Sequence, residues 1–195
     1  MIKGVQLTNF MSYKDAYVPL RPGLNLILGP NGAGKSSILL AISLVLGQSY
    51  TERGRRLSEL IRWGEEEARI SLIVDNSKKW GKPFKHIRGE EVRVSRILRR
   101  DGEYYYLLED KITPKREVQA AFHSIGVNPE NMLLIMHQLM VVKFSSTSAQ
   151  EKLRMLEEAA GFQSYRSDLT EADWRLKEAM VEERRILDSL NATLE

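Results

Sequence analysis

The stretch "GPNGAGKSS", residues 29–37, has the spacing G-x-x-x-x-G-K-[ST] from Gly29 to Ser36, the spacing of a loop that cradles nucleotide phosphates. Each residue type has a task. Gly29, Gly32 and Gly34 let the backbone curl closely round an anion with its N–H groups pointing inward, and the following helix adds the positive end of its dipole. Lys35 brings a mobile charge to the β- and γ-phosphates, and the Ser36 hydroxyl ligates Mg²⁺. Hydrolysis needs more: an aspartate closing an apolar strand to organise Mg²⁺, and a group that orients water. The one candidate acid is Asp75 in "ISLIVDN". Its alternating run, interrupted by Ser71, suits an antiparallel strand with one exposed face better than a buried parallel strand, so Asp75 reads as a turn residue. His86, His123 and His137 lack metal-like spacing, which leaves Mg²⁺ as the one metal expected.

The loop must be held between a strand and a helix, and the flanking patterns provide both. "IKGVQLTNF" alternates like a strand, and "YVPLRPGLNLILG" supplies two further strand runs on either side of the turn signal Arg21-Pro22-Gly23. From Gly34 the pattern becomes apolar nearly all round, "GKSSILLAISLVLG", a buried helix closed by Gly47. "ARISLIVD", "EEVRVSRILRR" and "EYYYLLED" alternate with period two and predict antiparallel strands, with turns at "NSKKWGKP" and "RDG". "TPKREVQAAFHSIG" predicts a short helix with Thr113 as cap, Pro114 at its first position and Gly126 at its end. "NPENMLLIMHQLMVVKF" is apolar without a decisive period. A helix then starts near Ser148 and runs, with a break at Gly161, to the end of the chain. Alternate steps of four and three from Leu169 reach Asp173, Leu176, Met180, Glu183, Leu187, Leu190 and Leu194, a seam that is apolar except for its two acids. Such a seam is one strand of a coiled coil, or a last helix packed on the domain's own core.

With 195 residues, 43% hydrophobic and 28% charged, the chain can form a domain with a real apolar core and is neither disordered nor collagen-like. It has no cysteine, which excludes a disulfide framework, a thiolate zinc site and a thiol nucleophile. Neither a signal peptide nor an apolar run of about 20 residues is present, so the expected location is cytoplasmic, with no membrane partner. The net charge is +3, and the cations collect in "ERGRR", "SKKWGKPFKHIR" and "RVSRILRR", as solvated faces or as phosphate-backbone contacts.

The ordered series of blocks resembles the head domains of structural maintenance of chromosomes (SMC) proteins and their double-strand-break-repair relatives, ABC-type ATPases. "LTNFMSYKDAYVPLRPGLNLILGPNGAGKSS" is similar to the family's amino-terminal block, "MLLIMHQLMVVKF" to the block holding the Q-loop glutamine, and "SAQEKLRMLEEAAGF" to the passage from head to coiled coil. The resemblance implies an α/β P-loop NTPase fold of ABC type. It would comprise an amino-terminal lobe with an antiparallel β subdomain over residues 1–165, then the start of a coiled-coil arm over 166–195. It implies ATP and Mg²⁺ as cofactors. Pro30, Asn31, Gly32, Ala33, Gly34, Lys35, Ser36 and Ser37 would hold the phosphates. Ser36 and Gln138 would ligate Mg²⁺, Gln138 would also sense the γ-phosphate, and Arg62 and Trp63 would lie by the adenine. The implied partners are a carboxy-terminal lobe of the same parent chain, carrying the Walker B acids, signature serine and switch histidine, a second SMC-type head, double-stranded DNA and accessory subunits. Arg53, Arg55 and Arg56 are the DNA-contact candidates, and the location becomes nucleoid-associated, or nuclear in a eukaryote. Two departures stand out. Met11 occupies a place where many relatives have Lys or Arg, leaving Ser12, Tyr13 and Lys14 as substitutes. Leu139 follows Gln138 where chromosomal members often have Gly, which points to a divergent branch of the repair type, an archaeal or thermophilic member among them.

Three functions compete on these residues. One is an SMC-type motor head that dimerises round ATP to tether DNA, organise chromosomes or serve repair, the isolated chain being inactive. Another is a self-contained small P-loop kinase or NTPase with Asp75 on Mg²⁺. The last is a non-catalytic nucleotide-dependent scaffold, in which Gln138 is dispensable.

Overall fold

The computed structural model describes residues 1–48, 56–80, 83–84, 87–128, 134–136, 141, 144–160 and 162–194. Among these residues six strands form one antiparallel sheet: β1 (Ile2–Phe10), β2 (Tyr13–Pro19), β3 (Glu67–Asp75), β4 (Glu91–Arg99), β5 (Tyr104–Leu108) and β6 (Lys111–Thr113), in the order β2-β1-β3-β4-β5-β6. The period-two alternation sets its two faces. Val5 of β1, Leu72 of β3 and Val94 of β4 stand in register and are fully buried. Against them packs α1 (Lys35–Leu46), through Ile38, Ala41, Leu44 and Val45. Burying Ile38, Leu44 or Val45 contributes about 1.5–3 kcal/mol each, and the Ala41 methyl less. At the sheet's other flank, α2 (Lys115–Ser124) buries Val118 and Phe122, and the Phe122 ring meets Phe84 edge-on at 5.9 Å.

Helix α1 ends as its sequence predicts. Gly47 takes a left-handed φ of 117° while its N–H and that of Gln48 bond back to Leu44 and Ser43, a closure that favours glycine. Helix α2 differs from expectation at its start. Thr113 does not cap it: the residue closes β6, and its hydroxyl donates to the Lys111 carbonyl at 2.9 Å. Pro114 is instead the extended cap residue. Strand β6 itself was not foreseen, because its hairpin turn lacks Gly or Asn. Glu109 and Asp110 both take positive φ, 49° and 61°, and are held there by side-chain bonds, Asp110 to Arg69 at 2.6 Å and Glu109 to the Arg93 N–H at 2.5 Å.

The apolar run at 24–29, expected as a strand, is a correction: it forms no ladder with any described residue. Leu24, Leu26 and Leu28 are 97%, 75% and 79% exposed. A strand exists only through its neighbours, and no strand of the described sheet lies beside this run.

Beyond the sheet, α3 (Ala149–Ala159) begins with a reciprocal capping box in which Ser148 and Glu151 bond each other's backbone N–H groups. It is followed by α4 (Gln163–Leu194), tied to α3 by the Arg166–Glu157 ion pair at 2.6 Å. Every described side chain of α4 is exposed, the seam residues Leu169, Leu176, Met180, Leu187 and Leu190 included. Packing of this helix on the domain's own core is therefore overturned. No helix among the described residues is long and apolar enough to cross a membrane.

Candidate nucleotide site

The phosphate loop folds as its glycines dictate. Gly32 and Gly34 take φ of 83° and 91°, the left-handed region that side chains disfavour. The Ala33 N–H closes a turn on the Pro30 carbonyl at 3.2 Å. Gly34 caps α1 without any side-chain hydrogen bond, and the first turn of α1 contains no acid. The helix thus begins with N–H groups that no side chain satisfies and with an uncompensated positive dipole end, the two properties an anion uses. Lys35 folds back over the loop, its Nζ donating to the Gly29 and Pro30 carbonyls at 2.7 Å each. A phosphate oxygen offers the same ammonium a stronger, charge-assisted acceptor. Ser36 is exposed at the mouth of the loop, where its hydroxyl would reach Mg²⁺. The loop therefore fits a nucleotide phosphate on geometry alone, whereas Gln138, the second expected Mg²⁺ ligand, lies outside the described residues.

Two further pieces are brought to the loop. The β1–β2 hairpin turns at Met11 and Ser12, and the Tyr13 ring beyond it packs against Gly34: a Cβ added there would lie 2.8 Å from the Tyr13 hydroxyl. Of the three substitutes for the missing cation, Tyr13 is in contact with the loop. The turn holding Arg62 and Trp63 is fastened to the same hairpin. Arg62 donates its N–H to the Asn9 carbonyl at 2.8 Å and its guanidinium to the Ser12 carbonyl at 2.6 Å. Trp63 is 96% exposed, so it is not core, and its indole faces are open to a flat ligand.

Sequence reading missed what holds that turn. Arg100, beyond β4, donates to the Glu65, Ser58 and Arg62 carbonyls at 3.1, 3.4 and 2.9 Å. A guanidinium presents its donors as a rigid fork, yet the sequence shows only one more basic residue beside a turn. Arg96 was missed likewise. It is fully buried in β4, and burial pulls its guanidinium below the usual range. Next to it, burial pushes the Tyr106 phenol up to about 12.

Asp75 is excluded as the Mg²⁺ acid by its position. Its N–H donates to the Met1 carbonyl and its carboxylate accepts the Ser77 N–H at 2.8 Å; the Ser77 hydroxyl foremost, and its N–H next, hold the pKa below the ordinary value. It ends β3 beside the start of β1, whereas Tyr13 meets the loop beyond the far end of β1. The length of β1 separates the two ends, about 26 Å at roughly 3.3 Å per residue. Asp75 is the turn residue that its sequence context predicts.

Among the DNA-contact candidates, Arg56 is exposed at the start of a short 3₁₀ turn, Leu57–Leu60. Arg53 and Arg55 lie outside the described residues, as do His86, His137 and Gly161. Among the described residues no cluster of His, Cys, Asp or Glu could hold a metal.

Residues 1–155 match the family model described as RecF/RecN/SMC N terminal domain. The chain belongs to that family. It is 34% identical over 202 residues to structural maintenance of chromosomes protein 2-2 of Arabidopsis thaliana, and 30% identical over 203 residues to the chromosome partition protein Smc of Fusobacterium nucleatum. Each alignment covers 100% of this chain and 17% of the relative, so the chain spans about one sixth of the length of these curated relatives. Among solved structures, the Smc head domain with an extended coiled coil bound to the C-terminal domain of ScpA, from Pyrococcus furiosus, superposes with a TM-score of 0.75 at 27% identity, covering 94% of this chain and 48% of that one. A chain solved in work on ATP-driven dimerization and DNA stimulated activation of SMC ATPases gives 0.68 at 26% identity, covering 80% of this chain and 98% of that one. The fold is accordingly the P-loop, ABC-type fold of an SMC head, with its antiparallel sheet and helices.

Proposed function

We propose that this chain is the ATP-binding, amino-terminal part of an SMC-type head, which hydrolyses ATP only when joined to a carboxy-terminal lobe. The observation that carries the reading is the approach to the phosphate loop. The run at 24–29 holds Leu24, Leu26 and Leu28 in solvent, although an apolar run feeding such a loop belongs in a sheet. A complementary lobe would supply the missing strand neighbours together with the Walker B acids, signature serine and switch histidine.

In the assembled head, residues 30–37 wrap the triphosphate. Lys35 leaves the Gly29 and Pro30 carbonyls for the β- and γ-phosphates, Ser36 and Gln138 hold Mg²⁺, and Arg62 and Trp63 flank the base. ATP supplies the energy that joins two heads, each loop facing the other head's signature motif, and its hydrolysis parts them. Residues 166–195 begin the coiled-coil arm, whose exposed seam packs against a returning helix. Double-stranded DNA lies along the basic surface that includes Arg53, Arg55 and Arg56, through phosphates and not base edges. A kleisin-like accessory subunit joins the head, as the solved complex with ScpA suggests by analogy. The seat of such an assembly is the nucleoid or the nucleus.

Calorimetric titration of Mg²⁺-ATP, with Lys35→Ala as comparator, tests the binding half of this reading. Lys35-dependent binding supports it. Binding that survives loss of Lys35, or a wild type that binds no ATP even with the carboxy-terminal lobe supplied, refutes it.

A further inference from the structure

One charged side chain in the core lies away from the phosphate loop, on the strand face behind α1. Arg96 lies in the middle of β4 on the face that packs against α1, with 0% of its surface exposed. Burying a guanidinium is costly unless its charge and its donors are answered. No carboxylate among the described residues pairs with it; the charged or titratable groups acting on it are Tyr106 and Tyr104. The guanidinium carbon lies 4.2 Å from the centre of the Tyr104 ring and 5.1 Å from that of Tyr106. Its Nη1 donates at 2.9 Å to the carbonyls of both Leu44 and Gln48, at the carboxyl end of α1. The Tyr106 hydroxyl donates to the Leu44 carbonyl as well, at 3.2 Å. A cation there also meets the negative end of the helix dipole.

The rest of α1 meets the sheet through aliphatic side chains, whose steric fit limits sliding and rotation but fixes no atom as directionally as a hydrogen bond does. Among the described residues, the directional bonds from sheet to helix are those of Arg96 and Tyr106. Among the described residues the amino end has no such bond: Gly34 caps it with no side-chain hydrogen bond, the Tyr13 ring packs against it without one, and the loop before it is exposed. A helix of 12 residues is a rod about 18 Å long, so a grip at one end sets the height and rotation of the other.

We propose that Arg96 is a positioning residue for the phosphate loop, holding the carboxyl end of α1 so that Gly34, Lys35 and Ser36 stand where phosphates meet them. The proposal rests on the nucleotide reading of that loop.

The test uses the full chain carrying Arg96→Met, which keeps bulk without charge, and Arg96→Lys, which keeps charge but loses the planar guanidinium that lies over the Tyr104 and Tyr106 rings. Amide hydrogen exchange of residues 36–44 is compared with that of β1 and β3 in the same molecule. Arg96→Met is expected to speed exchange in α1 about tenfold while the strands stay within about twofold, and to weaken Lys35-dependent Mg²⁺-ATP binding about tenfold. Arg96→Lys should fall between. Should Arg96→Met fail to fold, Tyr104→Leu, which removes one ring face at a 36% exposed position, is expected to speed the same amides about threefold. Exchange in α1 that stays in step with the sheet overturns the proposal, and so does a loosened α1 with unchanged ATP affinity. A wild type that binds no ATP counts against the nucleotide reading, while exchange still decides whether Arg96 holds the helix.

Discussion

The Tyr13 hydroxyl stands 2.8 Å from the point where a Cβ on Gly34 would sit, while Gly34 itself holds a φ of 91°. The last glycine of the phosphate loop is therefore favoured by its conformation, and the end of the Tyr13 ring must shift to admit a Cβ there. Gly34→Ala should lose stability both from the left-handed φ, about 1–2 kcal/mol, and from the clash. Gly34→Ala with Tyr13→Ala should recover the clash but not the φ cost. Thermal melts of the two single variants and the double variant measure the coupling; strictly additive effects would mean that Tyr13 does not press on the loop.

Tyr106 makes a signed prediction for alkaline pH. Its phenol is raised to about 12 in the folded chain, against about 10 when unfolded. The folded form binds the proton more tightly, so this contribution is fully present below pH 10 and is lost as pH rises to 12, amounting to about 2–3 kcal/mol. Tyr106→Phe has no proton to lose. The stability difference between wild type and variant, followed by urea unfolding from pH 8 to 12, should move in the variant's favour by that amount; a flat difference contradicts the burial of the phenol.

Asp75→Ala separates the SMC-type site from a self-contained P-loop enzyme. With the acid a sheet's length from the loop, Mg²⁺-ATP affinity should stay within about twofold, whereas Lys35→Ala should abolish it. Isothermal titration of the two variants decides. A collapse of binding in Asp75→Ala would restore the acid to the metal.

Removal of residues 166–195 should lower the helical circular dichroism signal yet leave the melting temperature of the sheet within about 2 °C, because every described side chain of α4 is exposed. A much lower melting temperature would show that the helix packs on the domain after all.

How much was legible follows from the range of the forces involved. The glycine turns of the loop, α1 with its Gly47 cap, and strands β1 to β5 are written in local patterns, glycine spacing and period-two alternation, and form as read, whereas the strand expected to lead into the loop does not. The run at 24–29 carries the same local signal as β1, but a strand needs a neighbour, and no local pattern states whether this chain contains it. Thr113 looks like a cap because Pro114 follows it, yet pairing with Tyr106 draws it into β6. Strand β6 was hidden because Glu109 and Asp110 reach left-handed φ through bonds to Arg93 and Arg69 and not through glycine. The clamps made by Arg96 and Arg100 reach across 52 and 38 positions of the chain, to Leu44 and Arg62. In sequence they are indistinguishable from the other arginines of the same basic cluster.

The most direct test of the central claim is Mg²⁺-ATP turnover by this chain, alone and mixed with a carboxy-terminal lobe, with Lys35→Ala as the blank. The chain alone is expected to bind ATP without turning it over, and Lys35-dependent turnover to appear when the lobe is supplied. Lys35-dependent turnover by the chain alone would contradict the claim, since the chain would then hold a complete catalytic set.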